Sequence, residues 1–273
     1  MSLLSKRWKC IWYSIPTLDF SDADIGGFSF QGCKAFYNFI EKCLKYQKAS
    51  MRFISDSVLT RFKLDIEYYG DSSTLDYDSL SFAIRRNIEE MELGAKPKFE
   101  IKCAYYCLPE AVLNASWSLL VLKLDSLKLN GFRSVTLPCL KSLSLTAVKL
   151  DNHILTSLLS GCPSLEKFLL KEVETRFSEL CHTVEAINLE SFVYSGSCKN
   201  IDLSACNGIR NISRLDNWLH DQSLEDIIFG LPLLESLTLS WCYALKRIKI
   251  CCQHLKSVRL EKTYEQEAVE FSN

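Results

Sequence analysis

No stretch of this sequence is long and apolar enough to cross a bilayer. The longest run without a charged residue, 152–165, has 14 residues and contains His153, Gly161 and Pro163, whereas a spanning helix takes about 20 consecutive apolar residues. Charge of one sign is missing too. The 32 Lys and Arg nearly balance 33 Asp and Glu, leaving a formal net charge of −1, so no whole-chain field favours nucleic acid or an anionic membrane as partner. Ten glycines and six prolines in 273 residues, beside 48% hydrophobic content, are too few for extended disorder and leave ample material for a core. Lys6, Arg7 and Lys9 near the amino terminus are not followed by the apolar stretch and small-residue cleavage site of a secretion signal. The expected location is cytoplasmic and/or nuclear.

Chemistry is sparse as well. There is no G-x-S-x-G, no G-x-x-x-x-G-K-[ST], no H-E-x-x-H and no dinucleotide glycine pattern. The 13 cysteines are odd in number and scattered, none in a C-x-x-C pair, so they read as reduced, buried fillers rather than a disulfide framework or a metal site. The histidines at 153, 182, 220 and 254 fall in separate segments and form no constellation that would activate a nucleophile. The sequence therefore predicts no enzyme, no cofactor and no metal.

What the chain has in quantity is leucine at a fixed spacing. Leu140, Leu143 and Leu145 stand as L-x-x-L-x-L, and Leu165, Phe168 and Leu170 repeat it. Alternate residues of a short strand point inward, and the turn before the strand adds one more anchor. Between the two triads, Asp151 is placed to cap a helix over NHILTSLLS, Gly161 to take a left-handed conformation at its end, and Pro163 to stop it. Further triads are Ile88, Met91 and Leu93; Leu119, Leu122 and Leu124; Leu189, Phe192 and Tyr194; and Leu234, Leu237 and Leu239. Anchor steps of 21, 25 and 24 residues from Leu119 to Leu189 match a leucine-rich repeat, whose units are stable only when stacked.

Two stretches align without gaps, LLSGCPSLEKFLL from Leu158 and IIFGLPLLESLTL from Ile227. The second follows DQSLEDIIFG, where Ser223 and Asp226 stand in a capping-box relation and Gly230 ends the helix. LKRIKI and LKSVRL, the triads Leu245, Ile248, Ile250 and Leu255, Val258, Leu260, recur at a step of only 10, which calls for a tight coil or two strands joined by a turn. Upstream, RFKLDIEY at 61–68 alternates strictly as a half-buried strand, and residues 33–47 place Phe36, Phe39, Ile40, Cys43, Leu44 and Tyr46 at helical spacing.

The fold class expected is α/β: a leucine-rich-repeat solenoid, or horseshoe, with a parallel sheet on the concave face and short helices on the convex face. SLLSKRWKCIW followed by a proline and LDF resembles the end of a plant F-box motif. LPCLKSLSL at 137–145, LLSGCPSLEKFLL at 158–170, NIDLSACNGIRNI at 200–212 and LPLLESLTLSWCYALKRIKI at 231–250 resemble the plant F-box/leucine-rich-repeat (FBD-associated) family. The resemblance implies three segments: residues 1–20 as a truncated F-box, its third helix and a linker; 21–117 as a capping helix and irregular first repeats; and 118–273 as regular repeats.

It also implies a non-catalytic module like the substrate-recruiting subunit of an SCF-type ubiquitin ligase. Leu3, Leu4, Trp8 and Trp12 would contact a Skp-type adaptor if the missing F-box helices exist upstream. The concave face would bind a target protein, itself unidentified, through Lys123, Lys141, Ser142, Ser144, Lys167, Leu169, Val193, Ser236, Thr238, Arg247, Lys249 and Arg259. The alternative is a truncated repeat protein that binds targets without ligase assembly, as a competitor or non-functional product. No nucleic acid or membrane partner is expected. The basic carboxyl end, Lys246, Arg247, Lys249 and Arg259, is open to two readings: a charged edge that blocks strand pairing, or a site for an acidic or phosphorylated target.

Overall fold

The computed structural model describes residues 15–22, 35–44, 59–68, 88–97, 105–114, 118–132, 134–175, 182–184, 186–196, 201–215, 219–250, 252–262 and 268–271. The chain divides into two compact units, Met1–Lys128 and Leu129–Asn273.

In the first unit, β1 (Thr17–Ser21), β2 (Arg61–Tyr68), β3 (Glu90–Pro97) and β4 (Val121–Asp125) form consecutive parallel pairs. The alternation of RFKLDIEY is realised, with Phe62, Leu64, Ile66 and Tyr68 all buried. A helical segment, 35–44, buries Phe36, Tyr37, Ile40, Cys43 and Leu44 and leaves Phe39 51% exposed, so its apolar stripe is narrower than the spacing suggests. The Tyr37 hydroxyl donates to the Glu67 carbonyl at 2.6 Å, which ties the helix to the end of β2.

In the second unit, β5 (Ser142–Thr146), β6 (Lys167–Lys171), β7 (Ser191–Ser195), β8 (Asn211–Leu215), β9 (Ser236–Ser240) and β10 (Ser257–Glu261) also pair in parallel, each with the next. Every L-x-x-L-x-L triad from Ile88 to Leu239 is buried at 4% exposure or less. Buried aliphatic and aromatic side chains stabilise the fold by about 1.5–3 kcal/mol each, so within each unit these triads hold the coils together. At β10 the triad Leu255, Val258 and Leu260 is only half-buried, because no ladder strand follows it among the described residues.

The backbone repeats as faithfully as the side chains. A single carbonyl before each strand accepts two amides of the next repeat: Lys141 takes Glu166 and Lys167, Glu166 takes Glu190 and Ser191, and Glu190 takes Arg210 and Asn211. At the other end the chain leaves the strand through a left-handed residue: Ser126, Ala147, Glu172, Trp241 and Lys262 all have φ between 49° and 58°. That conformation is uncommon outside glycine. The amides of Ala147, Glu172 and Trp241 continue the ladder by donating to the last residue of the neighbouring strand, which holds the turn in place.

Two nine-residue helices, Asn152–Ser160 and Asp221–Phe229, follow β5 and β8. Asp151 caps the first, its carboxylate accepting the Ile154 amide at 2.9 Å. The expected capping box at the second does not form: His220 stands at the cap with no side-chain bond, and Ser223 lies inside the helix. Gly161 and Gly230 are right-handed, with φ of −78° and −72°, so Gly161 does not take the left-handed conformation expected of it. A Cβ on Gly161 would fall 2.0 Å from the Val135 carbonyl oxygen, whereas on Gly230 the nearest atom is 3.5 Å away. Close approach, not φ, requires the first glycine.

Candidate binding face

The outward side chains of a strand are the ones not spent on the core, and in the two units they differ sharply. On β1–β4 they are Thr17, Asp19, Ser21, Arg61, Lys63, Asp65, Glu67, Glu90, Glu92, Gly94, Lys96, Val121, Lys123 and Asp125. Ten of these fourteen are charged, and eight of the ten pair across strands. Lys63 lies 3.9 Å from Asp19, Arg61 3.6 Å from Glu90 and 3.8 Å from Glu92, Lys123 3.4 Å from Glu92, and Lys96 3.7 Å from Asp125. On β5–β9 the corresponding fifteen residues include nine Ser or Thr, the aliphatic Leu169, Val193 and Leu215, Asn211, and only two charges, Lys167 and Lys171.

The predicted binding residues do not all share one place in the fold. Ser142, Ser144, Lys167, Leu169, Val193, Ser236 and Thr238 occupy outward positions of β5, β6, β7 and β9, and Arg259 that of β10. The register sets Ser144, Leu169, Val193, Ser213, Thr238 and Arg259 in one row across the strands. Lys141 lies in the row just before, its Nζ 2.9 Å from Glu166 Oε1, and that hydrogen bond raises its pKa. Lys123 is in the first unit and belongs to its ion-pair network. Leu3, Leu4, Trp8 and Trp12 lie outside the described residues.

Arg247 and Lys249 are a correction. Their strand, Arg247–Ile250, does not join the ladder but pairs with Ala268–Phe271. Lys249 lines an open hollow with Gln222, Glu225, Asp226, Ile228 and Phe229 of the second helix. The reason lies in register: Ser236 pairs with Ser257, so one repeat runs from β9 to β10 and LKRIKI is the far side of that coil. The step of 10 is thus two strands of different sheets joined by a turn.

The row of residues immediately before the strands carries two separate ion-paired groups. Besides Lys141 and Glu166, Glu235 accepts Arg210 NH1 at 2.7 Å on one oxygen and Lys256 Nζ at 2.6 Å on the other. Hydrogen bonds from Lys256 and then Arg210 hold its pKa below the ordinary 4.5. Sequence reasoning missed β8 altogether, because Arg214 occupies the third inward position, where the pattern asks for an aliphatic residue. It is 4% exposed, with its guanidinium carbon 5.5 Å from the centre of the Tyr194 ring, a cation–π stack that makes burial tolerable. Trp241 at the exit of β9 was also missed; it is 41% exposed and has Lys262 Nζ 4.3 Å above its ring.

Among the described residues no group of three His, Cys, Asp or Glu is arranged to hold a metal ion, and no helix is long and apolar enough to cross a membrane. The family model for the leucine-rich repeats of FBD-associated F-box protein At5g56370 matches residues 79–206. The repeats are similar to those of the plant F-box/LRR family. Among Arabidopsis thaliana relatives, F-box/FBD/LRR-repeat protein At5g22700 is 27% identical over 239 residues, 87% of this chain and 47% of that protein. FBD-associated F-box protein At5g27750 is 30% identical over 243 residues, 87% and 48% of the two chains. F-box/FBD/LRR-repeat protein At1g13780 is 32% identical over 178 residues, 62% and 36%. The chain spans about half the length, or less, of these curated relatives.

Proposed function

We propose that this chain is a non-catalytic protein-interaction module of the F-box/LRR kind, acting in the cytoplasm or nucleus, which holds a target protein on the outward strand face of residues 129–273. Its amino-terminal segment, with Leu3, Leu4, Trp8 and Trp12, presents that target to a Skp-type adaptor of an SCF-type ubiquitin ligase. The observation that carries the reading is the outward face of β5–β9. Its fifteen outward residues include only two charges, Lys167 and Lys171, which have the same sign and cannot pair with each other, and its half-buried Leu169 and Val193 are register partners; neighbouring apolar side chains on an outward surface mark contact with a partner. The F-box names of the relatives supply the adaptor half of the proposal.

A photo-crosslinking residue placed at Val193 is expected to capture a discrete protein in plant cells, while the same residue at His153, exposed on the first helix, captures none. Equal capture from the helix side would overturn the assignment of the face. For the adaptor, co-expression with a Skp-type protein is expected to give a complex that Trp8→Asp abolishes. A chain that captures its target yet forms no complex, even when F-box helices are fused ahead of it, would leave a binder that does not assemble a ligase.

A further inference from the structure

We infer that the partner segment held on β5–β9 is acidic on both sides of one aliphatic side chain, with its carboxylates meeting Lys167 and Lys171 and its aliphatic residue seated on Leu169 and Val193. This rests on the reading of the outward face just given and adds the chemistry of the occupant. Leu169 and Val193 are register partners on adjacent strands, about 4.8 Å apart across the sheet, and Leu215 lies on the same side of β8 one strand beyond. Lys167 and Lys171 flank Leu169 on its own side of β6, each two residues away, roughly 6.6 Å along the strand. The face thus carries an aliphatic centre between two exposed cations.

These cations have little to neutralise them. No carboxylate occupies an outward position of β5–β9. Glu166, in the row before, is taken by Lys141, and Glu235 by Arg210 and Lys256. Glu190, exposed in that same row, makes no ion pair with Lys167. Lys171 reaches only the adjoining Glu172, at 3.7 Å and with both side chains largely exposed, a pair of little energetic worth. The hydroxyls around the centre both donate and accept, so they fit a polypeptide backbone without adding charge. A basic segment would meet Lys167 and Lys171 as like charges, which suppresses the wrong partner.

Peptides selected from a random display library of about twelve residues on the immobilised full chain would test this. The expected winners carry Leu, Ile or Val with Asp or Glu on both sides. A synthetic winner is expected to lose affinity about tenfold or more for a K167E/K171E chain, as like-charge contacts imply, to regain much of it when its acids are changed to lysines, and to bind K63E/K96E unchanged. Far-ultraviolet circular dichroism of each variant confirms that it is folded. Basic or uncharged winners, acidic winners indifferent to K167E/K171E, or a phosphoserine version that binds an order of magnitude tighter than the aspartate one would overturn the inference. No enrichment at all, or winners insensitive to every outward substitution tested, would count against the binding face itself and remove the inference with it.

Discussion

The sheet faces of the two units share one inner plan and carry opposite outer ones. Inward, Leu122 and Leu124 of β4 are as completely buried as Leu143 and Leu145 of β5. Outward, β1–β4 spend their surface on Asp19, Lys63, Arg61, Glu90, Glu92, Lys123, Lys96 and Asp125, charges that pair among themselves. By contrast, β5–β9 present hydroxyls, Leu169, Val193 and two lysines. The difference shows that a repeat fixes its inner residues and leaves the outer ones free to close on themselves or remain open to another molecule.

The contrast can be pressed by substitution, beginning with its shared part. Leu122→Ala and Leu143→Ala should each cost about 2–5 kcal/mol, as buried leucine truncations do, read by denaturant unfolding; a large loss in one unit only would show that the inner plans are not equivalent. Gly161→Ala should cost roughly 1–3 kcal/mol by overpacking against the Val135 carbonyl, while Gly230→Ala at its right-handed φ should gain up to about 1 kcal/mol. Unequal glycines would confirm that contact sets them apart, since both have the same backbone conformation. Asp151→Ala should cost about 0.5–2 kcal/mol for the lost cap.

Effects on the outer faces should be smaller in stability. Glu92→Gln, which releases Lys123 and leaves Arg61 with Glu90, should cost about 0.2–1 kcal/mol as an exposed ion pair does, and Ser213→Ala less than about 0.5 kcal/mol. Thiol labelling adds a check that involves no substitution. Burial pushes the Cys162 thiol up to about 12, so at pH 8 it stays protonated and unlabelled in the native chain, while exposed Cys107 and Cys139 react; rapid labelling of Cys162 would mean that its coil opens.

Much of this was legible in the sequence because the inner plan is written in residue type. The triads at Leu119, Leu140, Leu165 and Leu189 locate β4, β5, β6 and β7, and the outward Ser144, Leu169, Val193 and Thr238 follow from alternation alone. β8 was hidden because Arg214 breaks the pattern, and its burial becomes intelligible only when Tyr194 is seen beneath it. LKRIKI was placed on the wrong sheet because the L-x-x-L-x-L spacing says which residues face inward but not which side of the coil they come from. The ion-pair networks were unreadable for a similar reason: Lys123 looks like a free binding cation until cross-strand register puts Glu92 beside it.

The central claim is that binding belongs to the open outer face and not to the closed one, and photo-crosslinking from two matched positions tests it most directly. With the reactive residue at Val193 the chain should capture its partner, and with the same residue at Lys63, also outward but inside the paired network of β1–β4, it should capture nothing. Capture from Lys63 with none from Val193 would contradict the account.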